Sequence, residues 1–155
     1  MPACVFFGNT NEKDITFEMY EALRDLFEFL IVKKEVKLFY TTAKTDFDSM
    51  CESVIGSLRN KYEDIELVKI AGKDDKKQRS DLSYDRIINF ENNNYIKRCI
   101  HTSRLAEFML FDTIVSSGPK DNLFVDIMMA NYHRLDDINV IDLKRFMKIE
   151  DNQYN

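Results

Sequence analysis

Phe47 and Asp48 stand at the start of an amphipathic stretch, just after the polar turn Thr41-Thr42-Ala43-Lys44-Thr45-Asp46. A carboxylate in the first turn of a helix is held as an anion by the helix's positive end, which suits it to accept from a ribose hydroxyl. The same helix end opposes the raised pKa that a general base needs, and capping the helix is the competing role for Asp46 and Asp48. Two other short segments carry similar groups, Gly8-Asn9-Thr10-Asn11 and Ser116-Ser117-Gly118-Pro119-Lys120. Small and hydrogen-bonding residues let a ligand approach backbone N–H groups closely, and Lys44 and Lys120 add positive charge for a phosphate. Such residues also dominate ordinary turns, so the segments form a site only if the fold brings them to one edge.

Other chemistry is poorly supported. Cys4, Cys51 and Cys99 are odd in number and widely spaced, which reads as reduced thiols rather than a disulfide framework or zinc knuckles. Cys99 and His101, next-but-one neighbours on a helical stretch, face different ways and cannot chelate together. Cys51 lies one turn after Phe47 and would border the site, but no histidine is near it in sequence. There is no G-x-G-x-x-G, no G-x-x-x-x-G-K-[ST], no H-E-x-x-H and no G-x-S-x-G. No metal, no cofactor and no catalytic constellation is expected.

The elements that must position these segments follow from periodicity. Residues 3–8, 36–41, 65–71, 111–118 and 138–143 read as five strands. Helical spacing runs through Met19, Leu23, Leu26, Phe27 and Leu30, then through Phe47, Met50, Val54, Ile55 and Leu58. It returns from Tyr95 to Met109 and again over 120–133. Alternating strands and helices predict a Rossmann-like α/β domain over 3–143, a doubly wound, mostly parallel five-stranded sheet with helices on both faces. The strand at 65–71 alternates enough to suit an edge. Residues 72–94 lack a sustained period and read as a flexible or lid-like excursion, and 144–155 as a polar tail. In such sheets ligands bind outside the carboxyl ends of the strands, where the three segments above would meet.

The chain has 155 residues, 45% hydrophobic and 32% charged, enough for one domain with a real core. Lys and Arg number 22 against 27 Asp and Glu, a net charge of −5, and the densest basic cluster, KDDKKQR at 73–79, contains two aspartates. That balance argues against nucleic acid as a partner. The opening MPACVFFGNTNEKD has no basic segment before a short apolar run, so neither a signal peptide nor a membrane span is expected, and the location is read as cytoplasmic.

Taken together, CVFFGNTN, LFYTTAKTDFDSMCESVIGSLRNKYEDIELVKI and FDTIVSSG resemble the SLOG superfamily of Rossmann-like proteins, in particular its small bacterial members of uncharacterised role. The resemblance spans roughly residues 3–143 as an order of elements. It implies a sheet edge that binds nucleotides or nucleotide-derived ligands, with the family's first glycine carried onto Gly8, its Phe-Asp pair onto Phe47 and Asp48, and a basic position onto Arg104. The chain differs from that pattern in its loops. Asn9-Thr10 stands where relatives have His-Arg, Thr41 to Thr45 replaces a glycine-rich loop, and Gly118-Pro119-Lys120 replaces a Gly-Gly loop. A β-carbon or a proline ring there restricts backbone approach to a phosphate. Nothing matches the Pro-Gly-Gly loop of the superfamily's phosphoribohydrolases.

The expected function is therefore binding, sensing or sequestration of a nucleotide or nucleotide-derived small molecule. The expected ligand-binding residues are Gly8, Asn9, Thr10, Thr41, Thr42, Lys44, Phe47, Asp48, Arg104, Ser117, Gly118 and Lys120. The alternatives are an N-glycosyl hydrolase or transferase using Asp48 or Glu107, and a ligand-free interaction module. A homo-oligomer is expected only by analogy with other Rossmann-like proteins.

Overall fold

The computed structural model describes residues 2–75, 81, 83–112 and 122–147. Its centre is β1 (Ala3–Phe7), buried at every position. Alternate side chains of a strand point to opposite faces, and here each face finds its own core. Cys4 and Phe6 pack with α1 (Phe17–Lys33) and α2 (Asp46–Leu58), whereas Ala3, Val5 and Phe7 pack with α3 (Tyr95–Ser103) and α4 (Asn122–Ala130). An entirely apolar strand covered by helices on both sides is the signature of a parallel interior.

The remaining strands are β2 (Leu38–Thr41), β3 (Glu66–Ala71), β4 (Arg86–Asn89), β5 (Phe108–Phe111) and β6 (Asn139–Asp142), in the order β4-β3-β2-β1-β5-β6. Every neighbouring pair is parallel, with Cys4 opposite both Phe39 and Phe108. The doubly wound expectation holds, with six strands instead of five. The additional one is β4, inside the stretch read as an excursion. It is exposed at all four positions, so it has no burial pattern to betray it. With β4 outside it, β3 is not an edge, and five of its six residues are buried.

Two boundaries also differ from the sequence reading. The fourth expected strand begins at Phe108, so Met109 belongs to β5 and not to the preceding helix, which stops at Ser103. Thr16 caps α1 by accepting from the Met19 N–H. Residues 143–147 are helical and place Leu143, Phe146 and Met147 against the α1/α2 core, so the tail's first turn belongs to the domain. No described helix is long and apolar enough to cross a membrane.

Candidate functional site

The chain leaves β1 toward α1 on one side, while β5, its other neighbour in the sheet, comes much later in sequence. That reversal of strand order opens a crevice at the carboxyl ends of β1 and β5. Gly8 lies there under close constraint. A Cβ at this position would sit 2.4 Å from the Phe47 ring and 2.5 Å from the Asp112 carboxyl carbon, so glycine is what lets the three elements meet. Gly8 thus lies directly against Phe47, which is fully buried.

Asp112, the residue after β5, organises the first loop. Its Oδ1 accepts from the Asn9 N–H at 2.9 Å, and its Oδ2 accepts from the Thr10 N–H at 3.0 Å and from the Thr10 hydroxyl. Only 4% exposed, it had no place in the sequence reading, which put residue 112 inside a strand. The short apolar run FMLF followed by Asp is the signal that marks it as a strand-end residue.

The β2–α2 turn is built around Asp48. Thr45 and Asp48 form a capping box: the Thr45 hydroxyl accepts from the Asp48 N–H, and the Asp48 carboxylate accepts from the Thr45 N–H. Asp48 Oδ2 also takes the Lys44 N–H at 2.9 Å and the Thr42 hydroxyl. Ala43 adopts a left-handed φ of 52°, held by its N–H on Thr41 Oγ1. The turn therefore keeps a glycine-type backbone without a glycine. Asp48 is 1% exposed, and its Oδ1 has no hydrogen-bond partner. Burial raises its pKa to about 6, outweighing the N–H groups of Lys44 and Thr45 that pull it down. The helix end was expected to keep this group an ordinary anion; desolvation wins instead.

The structure brings Gly8, Asn9, Thr10, Thr41, Thr42, Lys44, Phe47 and Asp48 to one sheet edge. Ser117, Gly118 and Lys120 lie outside the described residues. Arg104 does not join the others: it follows the last turn of α3, reaches toward the Ala130 carbonyl and lies at the opposite edge, where β5 begins. Glu107 is at that far edge too, accepting from the Ala3 N–H at 2.6 Å, so it is no partner for chemistry at the strand ends. The described cysteines are all buried. Burial raises the Cys99 thiol to about 12 and puts Cys51 well above its ordinary value, so neither is a ready nucleophile. His101 stacks on Phe90.

Two of the cavities among the described residues border the loops that follow β1 and β2. One of about 530 Å³ lies between the β1–α1 loop and helical residues 143–147, with Asn9, Thr10, Asn11, Asp14, Asp112 and Lys144 as its polar lining and Met19, Leu143 and Met147 as its apolar floor. The other, about 440 Å³, is polar and is bordered by Lys44, Lys69, Asp75, Tyr95 and Arg98. Its buried cations are already paired, Lys69 with Asp81 at 2.9 Å and Arg98 with Asp75 at 3.4 Å. No group of three or more metal-ligating side chains occurs among the described residues.

A parallel sheet in this strand order, with a crevice at the β1/β5 reversal, decides the architecture. The fold is Rossmann-like. Among solved structures, this Rossmann-like chain resembles TM1055, a structural-genomics target determined by X-ray crystallography. The identity is 11%, the match covers 86% of this chain and 69% of that one, and the TM-score is 0.55. N-acetylneuraminate lyase from Mycoplasma synoviae is 14% identical over 88% of this chain, which spans 52% of the enzyme's length; its TM-score of 0.32 carries no argument. No protein-family model and no curated protein matches the chain.

Proposed function

We propose that this protein binds a nucleotide or nucleotide-derived small molecule at the carboxyl edge of its sheet. The observation that carries the reading is the cavity of about 530 Å³ beside Asn9, Thr10 and Asp112, at the strand-order reversal. Its size falls within the range of small-molecule sites, and an apolar floor with a few amide, hydroxyl and charged groups on its rim suits a flat heterocycle joined to a hydroxylated sugar. The resemblance of the β1, β2–α2 and β5 segments to the SLOG superfamily supports the same ligand class. Binding is favoured over turnover. Asp48 is enclosed by its own turn, Glu107 is at the far edge, and the buried thiols are held protonated.

Asn11→Trp tests the reading. Asn11 is exposed at the cavity rim and its side chain makes no capping hydrogen bond, so an indole there fills space without removing a bond. With a panel of nucleosides and nucleotides, the wild-type melting temperature rises by several degrees with at least one compound. The variant melts normally and shows no rise. A wild-type protein indifferent to the whole panel, or a variant that responds as the wild type does, would remove this assignment.

A further inference from the structure

Rossmann-like sheets present free N–H groups after their strands, and a bound phosphate normally takes them. Here the chain's own carboxylates have taken them. Asp112 holds the N–H groups of Asn9 and Thr10 after β1. Asp46 reaches across to the Glu12 N–H at 2.8 Å in the same loop. Asp48 holds those of Lys44 and Thr45 after β2, and Asp75 holds that of Gly72, at 2.7 Å, after β3. Four aspartates thus stand on the amide groups that follow three adjacent strands.

We infer that the cavity beside Asn9, Thr10 and Asp112 takes an unphosphorylated ligand, a nucleoside rather than a nucleotide, because among the described residues internal carboxylates hold amide groups after β1, β2 and β3 that a phosphate would take. The inference rests on the proposed reading of that cavity and narrows its ligand class. Each amide N–H has one hydrogen to give, so a phosphate would have to displace Asp112, which is 4% exposed and bonded to three donors. Left in place, the carboxylate would face the dianion with little water between them to screen the repulsion. Among the described residues, the cavity's charged lining comprises Asp14, Asp112 and one base, Lys144, a balance that does not attract an anion. The buried cations of the neighbouring polar cavity are neutralised by Asp75 and Asp81 and offer no relief. The described groups that line the larger cavity include the Asn9 and Asn11 amides, the Thr16 hydroxyl and the Asp14 carboxylate, which suit sugar hydroxyls and ring amino groups.

The test is calorimetric titration of the full chain with adenosine, guanosine, cytidine and uridine, each beside its 5′-monophosphate, repeated with Asn11→Trp and Asp112→Asn. The wild type binds one of the nucleosides, and the matching monophosphate binds about tenfold more weakly or worse. Asp112→Asn, which removes the charge and leaves one acceptor oxygen where two serve the Asn9 and Thr10 donors, narrows that gap. A monophosphate that binds the wild type as tightly as its nucleoside, with binding lost in Asn11→Trp, overturns the inference and keeps the cavity. A wild type that binds no compound of either series overturns the reading of the cavity and the inference with it.

Discussion

Asp48 combines two roles that pull against each other. Its carboxylate organises the β2–α2 turn through the Lys44 and Thr45 N–H groups, and its burial with one oxygen unpartnered makes the charge costly. With the folded pKa raised from 3.8 to about 6, the native state holds more protons than the unfolded chain between those values. The stability this group contributes is therefore full below pH 3.8 and is lost as pH rises through about 6, a change of about 3 kcal/mol. Glu52, whose pKa burial also raises, acts in the same direction and is present in both proteins to be compared. Urea unfolding at pH 4.5 and 7 checks this. The wild type loses roughly 2 kcal/mol more than Asp48→Asn on going to the higher pH. Parallel losses would mean that Asp48 is ionised throughout.

Among the elements, β4 is the one a pattern-based reading had no means to find. Period-two alternation requires one wet and one dry face, and Arg86, Ile87, Ile88 and Asn89 are all exposed. Its placement rests on polar ties at its entrance instead. Asp85 Oδ2 accepts from the Leu67 N–H at 2.7 Å, its Oδ1 meets Arg59 at the C-terminal cap of α2, and Arg59 also donates to the Ser83 carbonyl. Asp85→Ala removes that anchor and leaves the Leu67 N–H to seek water, a loss of about 1–3 kcal/mol concentrated at the edge. Hydrogen exchange then accelerates over 86–89 while β1, β2 and β5 keep their protection; uniform acceleration would show instead that β4 is part of one cooperative unit with the core. The central elements were legible for the converse reason. Runs such as ACVFF, and the stripe through Phe47, Met50, Val54, Ile55 and Leu58, are set by burial, which sequence pattern reports directly.

For the molecule as a whole, the decisive meeting is that of β1, α2 and β5 at Gly8. Adding one methyl there drives it into Phe47 and Asp112, so Gly8→Ala is expected to cost about 1–3 kcal/mol or more. Gly56 is the control, since a Cβ there meets nothing within 4 Å, and Ala in the helix adds about 0.5–1 kcal/mol. Denaturant midpoints moving in opposite directions with unchanged slopes confirm both, while a neutral Gly8→Ala would mean the three elements can part without penalty. The site's outline was legible because the β1 and β2 loops follow from topology. Asp112 was not, because placing β5 three residues late hid its role as a strand-end residue, and Arg104, carried over only through the family resemblance, lies between α3 and β5 at the opposite edge. The strand order has a consequence for synthesis. Val5 pairs with Tyr40 on one side and with Met109 on the other. At about 5–20 residues per second, the second partner leaves the ribosome on the order of ten seconds after the first strand. Throughout that interval an entirely apolar, central strand has an open flank, and the growing polypeptide must keep it from the flanks of its neighbours on the same message.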